Sequence, residues 1–259
     1  FLVAAVVQGA AAAAPVADAG CRWGASSGRG YRWPEANPAL VAPAVATYDY
    51  RPYRNPLQAE MTGDAITIEV PPDMFASFNL SDGRGRASSE QYVLRSMELR
   101  APGRLPEGSS QALSHVLELV LVHEDVRRSG VWASIVLPLA VAVDPSADLL
   151  ASLLAGSQPP EREGQREALL MRASHPLDLA KAFEGASFLT FWATLPSRCQ
   201  LASALPARIL LRNSTLDMSQ STFARALRAL RAASSAAPLR PPKDAWLMSA
   251  CPMVVAGAG

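Results

Sequence analysis

Short segments of the chain either alternate between apolar and polar residues or run on as unbroken apolar stretches, and both patterns predict β-strands. The alternating segments predict strands with one buried face. The apolar runs at 116–122 and 131–143 predict central strands that are buried on both faces. The predicted strands occupy residues 65–70, 92–100, 116–122, 131–143, 188–192 and 209–211.

The helical pattern is confined to three short segments. Leucines recur at helical spacing in residues 148–154, and residues 176–183 are similar. A third helix begins at Ser219, a residue type that favours the N-cap position. Its apolar face consists of Phe223, Leu227 and Leu230. Its other side is an arginine stripe, made of Arg225, Arg228 and Arg231. We expect this stripe to be solvated, with contact to a partner as the alternative.

Composition narrows the class of protein. With 259 residues, 49% of them hydrophobic and 18% charged, the chain is long and apolar enough to bury a core, so wholesale disorder is excluded. The 24 basic and 23 acidic residues leave a net charge of +1, which argues against a general nucleic-acid binder. The 21 prolines argue against a helical bundle, and 3 cysteines exclude a Cys-rich zinc module.

The two ends differ in composition from the middle of the chain. Residues 1–20 are apolar and rich in alanine, and their Ala-Asp-Ala at 17–19 has the form of a signal-peptidase site. They are interpreted as a signal remnant or as a segment that docks on a partner. Residues 247–259 form an apolar C-terminal tail, which leaves 21–246 as the folded domain. No apolar stretch reaches the roughly 20 residues of a membrane-spanning helix.

Several segments follow one another in the order found in a known protein family. Residues 117–123, with sequence LELVLVH, match its Glu-Leu-His-Leu-Val-His strand best. Residues 92–100 align with the strand that ends in the family's His-x-His, and 188–199 with its Gly-Ser-Leu-Thr-Thr-Pro-Pro-Cys segment. From Trp23 to Trp246, the chain therefore resembles the α-class carbonic anhydrases. The resemblance implies an α+β, β-dominated fold with a central mixed, mostly antiparallel twisted sheet and short peripheral helices.

The residues that carry the chemistry of that family are replaced. A carbonic anhydrase holds zinc with three neutral imidazoles and leaves a fourth position for water, which becomes hydroxide at neutral pH. The resemblance places the three ligand positions at Glu98, Arg100 and Val120, and the threonine that orients the hydroxide at Pro196. A guanidinium has no lone pair to offer a metal, and its charge repels one. The resemblance therefore implies a pseudoenzyme with no metal, no cofactor and no catalytic residue.

The replacements suggest what fills the former zinc site. Glu98 and Arg100 are two residues apart on a strand, so they share a face and lie roughly 7 Å apart. Because buried charges need pairing, we expect these two side chains to pair and to plug a vestigial cavity. The alternative is that Arg100 holds an anion such as bicarbonate.

The resemblance also suggests a disulfide. Cys199 matches a cysteine that exported members of the family link to their N-terminal region, and Cys21 lies in that region here. A Cys21–Cys199 disulfide is therefore implied, with Cys251 as the competing partner.

The expected role follows from the lost ligands and the apolar ends. We expect a catalytically inactive, structural or interaction subunit of a larger membrane-associated protein complex, on its lumenal side, with the thylakoid lumen of a photosynthetic membrane as the leading compartment and the secretory route as the alternative. Its partners are protein subunits rather than nucleic acid, and it has no transmembrane span of its own.

Three rival functions remain open. The first is a bicarbonate or anion binder that uses Arg100. The second is an enzyme with a non-standard metal site. The residues available for that site are Glu98, Glu118 and His123. The third is an extracellular recognition module, for which the sign is a glycan at Asn79 or Asn213, since both begin an Asn-x-Ser/Thr pattern.

Overall fold

The structure is a computed structural model with a strand-dominated fold. It describes residues 45–62, 65–81, 90–100, 117–128, 130–143, 148–154, 156–171, 175–195, 205–230 and 246–252. The strands are β1 (Val45–Tyr50), β2 (Leu57–Thr62), β3 (Ala65–Glu69), β4 (Ala76–Ser81), β5 (Glu90–Arg100), β6 (Leu117–Asp125), β7 (Trp132–Val141), β8 (Arg166–Leu169), β9 (Ser187–Leu195), β10 (Leu205–Arg212), β11 (Leu216–Met218) and β12 (Trp246–Pro252). The helices are α1 (Leu149–Leu154), α2 (Gln220–Leu230) and a 3-10 helix at Leu179–Ala182.

All the described strands belong to one mixed, mostly antiparallel sheet, which confirms the predicted fold class. Its order is β11-β7-β10-β9-β12-β1-β4-β5-β3-β2-β8, and β6 pairs with both β5 and β7. The pairs β1–β12, β7–β10 and β7–β11 are parallel. Because β6 joins β5 to β7, the strands β5, β6, β7, β10, β9, β12, β1 and β4 form a closed circuit. No helix in the described part of the chain is long and apolar enough to cross a membrane.

Strand β5 changes its alternation at a bulge. The pairing of β5 with β6 shifts register between Leu94 and Ser96, so Arg95 is the extra residue. On the near side of the bulge Leu94 faces the main core, and on the far side Met97 and Leu99 face it. The alternation that predicted a strand at 92–100 would place all its even-numbered residues on one face, and the bulge shows that this is wrong. Glu98 and Arg100 still share a face, because both lie beyond the bulge.

The main core lies on one face of the sheet. It contains Tyr48, Tyr50, Phe78, Tyr92 and Phe188. The opposite face of the central strands carries a second, smaller apolar cluster, which is described with the site below. The central strands β6 and β7 are therefore buried on both faces, as their unbroken apolar runs predicted.

Helix α2 begins where the sequence predicted, but its buried face is rotated. The Ser219 hydroxyl accepts the backbone N–H of Thr222 at 3.2 Å, which confirms the N-cap. The buried residues of the helix are Thr222, Ala226, Ala229 and Leu230. Phe223 and Leu227, predicted at the centre of the apolar face, are only half-buried. The small alanines let the helix lie close to its neighbours, α1 and β3, which displaces the larger side chains to the border.

Several strands had no counterpart in the sequence prediction. The strands predicted from alternation begin at residue 65, whereas β1 and β2 lie before it. In β1 the buried positions are Ala46, Tyr48 and Tyr50, and tyrosines conceal the alternation because they are scored as partly polar. Strand β12 contains the first part of the segment 247–259 that was predicted as a tail, and it pairs with β1 and β9. Residues 1–20 lie outside the described part of the chain.

Candidate functional site

Strands β5 and β6 bring the three predicted ligand positions together at the centre of the sheet. Glu98 lies directly opposite Val120 in the register of the two strands, and Arg100 lies opposite Glu118. Residues two apart on a strand share a face, so all four side chains lie on the face that is turned away from the main core. The exposed fractions of Glu98, Arg100, Val120 and Glu118 are 5%, 9%, 4% and 1%. Three charged residues are thus buried side by side.

The guanidinium of Arg100 is held by a carboxylate of the neighbouring strand. Its Nε donates a hydrogen bond of 2.8 Å to Oε2 of Glu118. The side chains are only 10% and 2% exposed, so this is a buried, charge-assisted pair. The sequence had not singled out Glu118 as the partner of Arg100, since the register of β5 against β6 decides the neighbour and no local pattern gives that register.

Hydroxyl groups continue the polar side of this site. Thr67 of β3 lies opposite Glu98, and it is buried. The Oγ1 atoms of Thr62 and Thr67 are 2.6 Å apart and share a hydrogen bond. The site therefore has a polar flank formed by β2 and β3, beside the charged residues of β5 and β6. Neither threonine was singled out from the sequence.

The other flank is apolar. It consists of Val120, Val122, Val136, Ala207, Ile209 and Leu211, with Trp132 and Leu189 packed at its border. Ser134 lies opposite Val122 and Ile209 on this flank. Neither its buried hydroxyl nor the buried Nε1 of Trp132 has a hydrogen-bond partner among the residues that the structure describes. An apolar wall therefore begins directly beside the charged residues.

The residues at the three positions do not fit a zinc ion. A catalytic zinc takes three neutral or anionic donor ligands and keeps an open position. Glu98 offers one carboxylate, Val120 offers no donor atom, and the guanidinium of Arg100 is a cation bound to Glu118. Among the residues that the structure describes, no group of three or more His, Cys, Asp or Glu side chains is placed to hold a metal ion.

His123 lies on the other side of the sheet from this site. It follows Leu119 and Leu121 on the face of β6 that packs into the main core, whereas Glu118 faces the site. Its Nδ1 donates to the carbonyl oxygen of Leu121 at 3.0 Å, and its Nε2 accepts from the Tyr50 hydroxyl at 2.8 Å. Burial lowers the pKa of His123 to about 3. A metal site that combines His123 with Glu98 and Glu118 is therefore excluded.

The remaining predicted positions fall partly outside the described residues. Pro196, Cys21 and Cys199 lie outside the described residues, so the threonine replacement and the disulfide stay predictions. Asn213 is exposed at the end of β10, whereas Asn79 is half-buried in β4 between β1 and β5. Of the two predicted glycan acceptors, only Asn213 presents an accessible side chain.

A second charged network lies where β6 turns into β7. Arg128 donates to Asp125 at 2.6 Å and to Glu90 at 2.9 Å, and Tyr92 donates to Glu90 at 2.9 Å. Burial acts to raise the pKa of Asp125, but the hydrogen bonds from Arg128 and the turn outweigh it, so this pKa is lowered. Burial lowers the pKa of Arg208, whose Nε lies 4.0 Å from Oε2 of Glu90. These contacts fix a turn and do not form a ligand site.

Comparison with known proteins adds the fold's identity. No family sequence model matches the chain, and no curated protein sequence matches it. Solved structures do match. The Photobacterium profundum α-carbonic anhydrase superposes with a TM-score of 0.55 and 16% identity, covering 86% of this chain and 91% of that one. Carbonic anhydrase Cah3 from Chlamydomonas reinhardtii, in complex with acetazolamide, gives a TM-score of 0.58 and 12% identity with the same coverage.

A fungal enzyme gives the same result. The α-carbonic anhydrase of Aspergillus oryzae superposes with a TM-score of 0.56 and 12% identity, covering 79% of this chain and 78% of that one. At identities this low, the superpositions establish the architecture alone. The activity has to be argued from the site. The chain has the fold of the α-class carbonic anhydrases.

Proposed function

We propose that this chain is a carbonic-anhydrase-fold protein without carbonic anhydrase activity, and that its fold serves as a binding platform. In this proposal it is a structural or interaction subunit of a larger membrane-associated complex, on the lumenal side of the membrane. The thylakoid lumen is the compartment we favour, and the Ala-Asp-Ala of residues 17–19 supports export in general.

The buried pair of Arg100 and Glu118 carries the proposal. The pair occupies the centre of the sheet, beside Glu98 and Val120, where the resemblance places the metal. Zinc hydroxide chemistry needs a cation at this place and neutral ligands around it. A guanidinium here supplies the positive charge that a metal would supply, and it leaves no open coordination position for water.

The same charges argue against bicarbonate as a ligand of Arg100. The site holds one guanidinium, and Glu98 and Glu118 place two carboxyl groups beside it. An incoming anion would have to displace Glu118 from a buried hydrogen bond of 2.8 Å. We therefore expect bicarbonate to leave the thermal unfolding midpoint unchanged, and a rise that disappears in Arg100→Ala would revive that rival.

Zinc binding and carbon dioxide hydration test the loss of activity. The purified full-length chain is incubated with excess Zn²⁺ and dialysed, and its metal content and hydration rate are measured. We expect less than stoichiometric zinc and no hydration above the buffer rate. Stoichiometric zinc together with hydration would overturn the proposal.

A variant that restores three imidazoles is the matched control for the position of the site. Glu98→His, Arg100→His and Val120→His together place three imidazoles on one face of two paired strands. Glu118 lies opposite position 100 and can accept an imidazole N–H there. We expect this variant to bind Co²⁺ with the visible absorption of a tetrahedral site. Failure of a folded variant to bind it would show that these are not the ligand positions.

The subunit role is tested by particle size. Gentle extraction from the native source followed by native electrophoresis separates free chains from complexes, and mass spectrometry identifies the companions. We expect the chain to migrate with membrane-complex subunits. Migration as a free monomer would argue against the subunit role and leave the inactivity to be judged by the zinc test.

A further inference from the structure

A groove of about 420 Å³ lies between helix α2 and the polar loop that precedes β8. Its loop side includes Gly156, Ser157, Gln158 and Glu161, and its helix side is formed by Arg225 and Arg228. It shares no residue with the charged site on β5 and β6. The two arginines belong to the arginine stripe of α2.

The loop side of the groove is held in place by hydrogen bonds. The side-chain oxygen of Gln165 accepts the backbone N–H groups of Glu161 and Arg162, each at 3.0 Å. The backbone N–H of Gly164 donates to the carbonyl of Met61 in β2 at 2.8 Å, and the N–H of Met61 donates to the carbonyl of Gln165 at 3.1 Å. The loop is thus fastened to the sheet, so a ligand meets a wall that is already ordered.

The two arginines have different tasks. They are three residues apart on α2 and therefore lie on the same side of the helix. Nη1 of Arg225 donates to the carbonyl oxygen of Leu154 at 2.8 Å, at the end of α1, so this side chain ties the two helices together. Arg228 is exposed and makes no hydrogen bond or ion pair with any residue that the structure describes. Arg228 is therefore a cation available to a ligand at the mouth of the groove.

The charges in the groove favour an anion. Two guanidinium groups face one carboxylate, that of Glu161, and Oε1 of Glu161 already accepts a hydrogen bond of 2.9 Å from the side chain of Gln158. A carboxylate from outside can bind the planar guanidinium of Arg228 through two parallel hydrogen bonds. Pro159 is the one apolar side chain among the lining residues, and all the others except Gly156 carry polar or charged side chains.

We propose that this groove docks an acidic segment of a protein partner, with an Asp or Glu carboxylate of the partner bound to Arg228. The inference rests on the proposed subunit role and names the surface and the chemistry through which it acts. Charge complementarity of this kind sets the register and the rate of docking between proteins.

Charge reversal at Arg228 tests the docking. Arg228→Glu removes the available cation without touching the bond from Arg225 to Leu154. Arg127→Glu is the matched control, because Arg127 is equally an exposed arginine but lies in the turn after β6. Tagged full-length variants are expressed in the native source, their folding is checked by circular dichroism, and their share in the large particle is measured. We expect Arg228→Glu to reduce that share about tenfold and Arg127→Glu to leave it unchanged.

A photoreactive residue identifies the occupant. Gln158 is replaced by benzoylphenylalanine in the full-length chain, the native particle is irradiated, and the cross-linked peptide is sequenced. We expect a partner peptide with Asp or Glu residues beside the cross-link. A cross-linked lipid, or a peptide without acidic residues, would overturn the inference.

The two proposals fail in distinguishable ways. If the wild-type chain is in the large particle and Arg228→Glu stays there too, the docking inference is wrong while the subunit role stands. If both variants leave the particle equally, general charge is the cause and the inference is wrong as well. If the wild-type chain itself is monomeric, the subunit role fails and the inference fails with it.

Discussion

The hydroxyl of Tyr50 donates a hydrogen bond of 2.8 Å to Nε2 of His123, and both residues are buried. The carbonyl of Leu121 can only accept a hydrogen bond, so the proton of the neutral ring sits on Nδ1. Nε2 is then the acceptor of the ring, and the Tyr50 hydroxyl must be the donor. Phe78 meets the imidazole edge-on, with ring centroids 4.7 Å apart, and Phe183 stacks on Tyr50 at 4.8 Å. The histidine is therefore held neutral by its surroundings, as its pKa of about 3 expresses.

Acid should destabilise the fold through His123. Its pKa is 6.5 in the unfolded chain and about 3 in the folded one, so only the unfolded state gains a proton as the pH falls below 6.5. The contribution of neutral His123 to the free energy of unfolding is fully present above pH 6.5. Below that pH, it falls by up to roughly 1.4 kcal/mol for each pH unit, until the pH approaches the folded pKa. Urea unfolding at pH 7, 6, 5 and 4 measures this slope.

The variant His123→Gln separates the loss of stability caused by His123 from the loss caused by protonation of carboxylates. Glutamine keeps an acceptor for Tyr50 but does not titrate. The lowered pKa of Asp125 adds a loss of stability as well, but only at more acidic pH, where that carboxylate takes up a proton. We expect the free energy of unfolding of the variant to change less between pH 6 and 4 than that of the wild-type chain. An equal change in both proteins would contradict the assignment to His123.

Removing Glu118 should be far more damaging than removing an exposed partner. Glu118→Ala takes away the carboxylate bound to the buried Arg100, which we expect to lower the free energy of unfolding by about 3 kcal/mol. Glu124→Ala breaks the exposed bond of 3.0 Å to Arg95 and should lower it by less than about 1 kcal/mol. Replacing the pair together, as Arg100→Met with Glu118→Leu, should recover most of the loss. Equal effects of the two alanine variants in urea unfolding would contradict the burial of the pair.

Asp148 should stabilise both helices from one carboxylate. Its Oδ1 accepts the backbone N–H of Ala151 at 2.9 Å, and its Oδ2 accepts the N–H of Ser219 at 2.8 Å and the hydroxyl of Thr222 at 2.7 Å. Asp148→Ala should therefore lower the free energy of unfolding by about 2 kcal/mol, the upper range for a lost helix cap. Glu184→Ala, at an exposed carboxylate, should change it by less than about 0.5 kcal/mol. Both are read from denaturant midpoints, and similar values for the two variants would contradict the bridging role.

Two glycines should resist substitution for different reasons. A Cβ at Gly156 would lie 2.1 Å from the carbonyl oxygen of Leu170, whereas Gly164 has open space but a φ of +75°. Gly156→Ala should lower the free energy of unfolding by about 1–3 kcal/mol through overpacking, and Gly164→Ala by about 1 kcal/mol through backbone strain. Substitution by asparagine distinguishes overpacking from backbone strain, since asparagine tolerates the left-handed backbone region but is larger than alanine. We expect Gly164→Asn to be milder than Gly164→Ala, and Gly156→Asn to be worse than Gly156→Ala.

The sequence predicted the parts of the fold that local pattern determines. Strands β6 and β7 are unbroken apolar runs, and α2 has a good N-cap at Ser219, so their positions follow from neighbouring residues alone. Strand β1 was missed because its buried tyrosines do not score as apolar. The bulge at Arg95 also has no local signature, since it is set by the pairing of β5 with β6.

In the candidate site too, the sequence indicated some positions, whereas strand register decides the contacts between them. The resemblance drew attention to Glu98, Arg100 and Val120, and the strand register places them side by side. That Arg100 binds Glu118, and that Thr67 lies next to Glu98, depends on which residues face each other across strands. Side chains alternate between the two faces of β6, so His123 faces away from Glu118. This orientation could be predicted from the sequence alone.

The position of β12 bears on how the chain folds as it leaves the ribosome. This strand comes last among the described strands, yet it is inserted between β9 and β1, where it pairs parallel with β1. Until it has been synthesised, the backbone groups of β1 and β9 on that side have no partner strand and are open to pairing with other chains. Pairings between such distant parts of a chain form slowly. A nascent chain of this protein is thus open to pairing with other chains until β12 emerges and closes the gap.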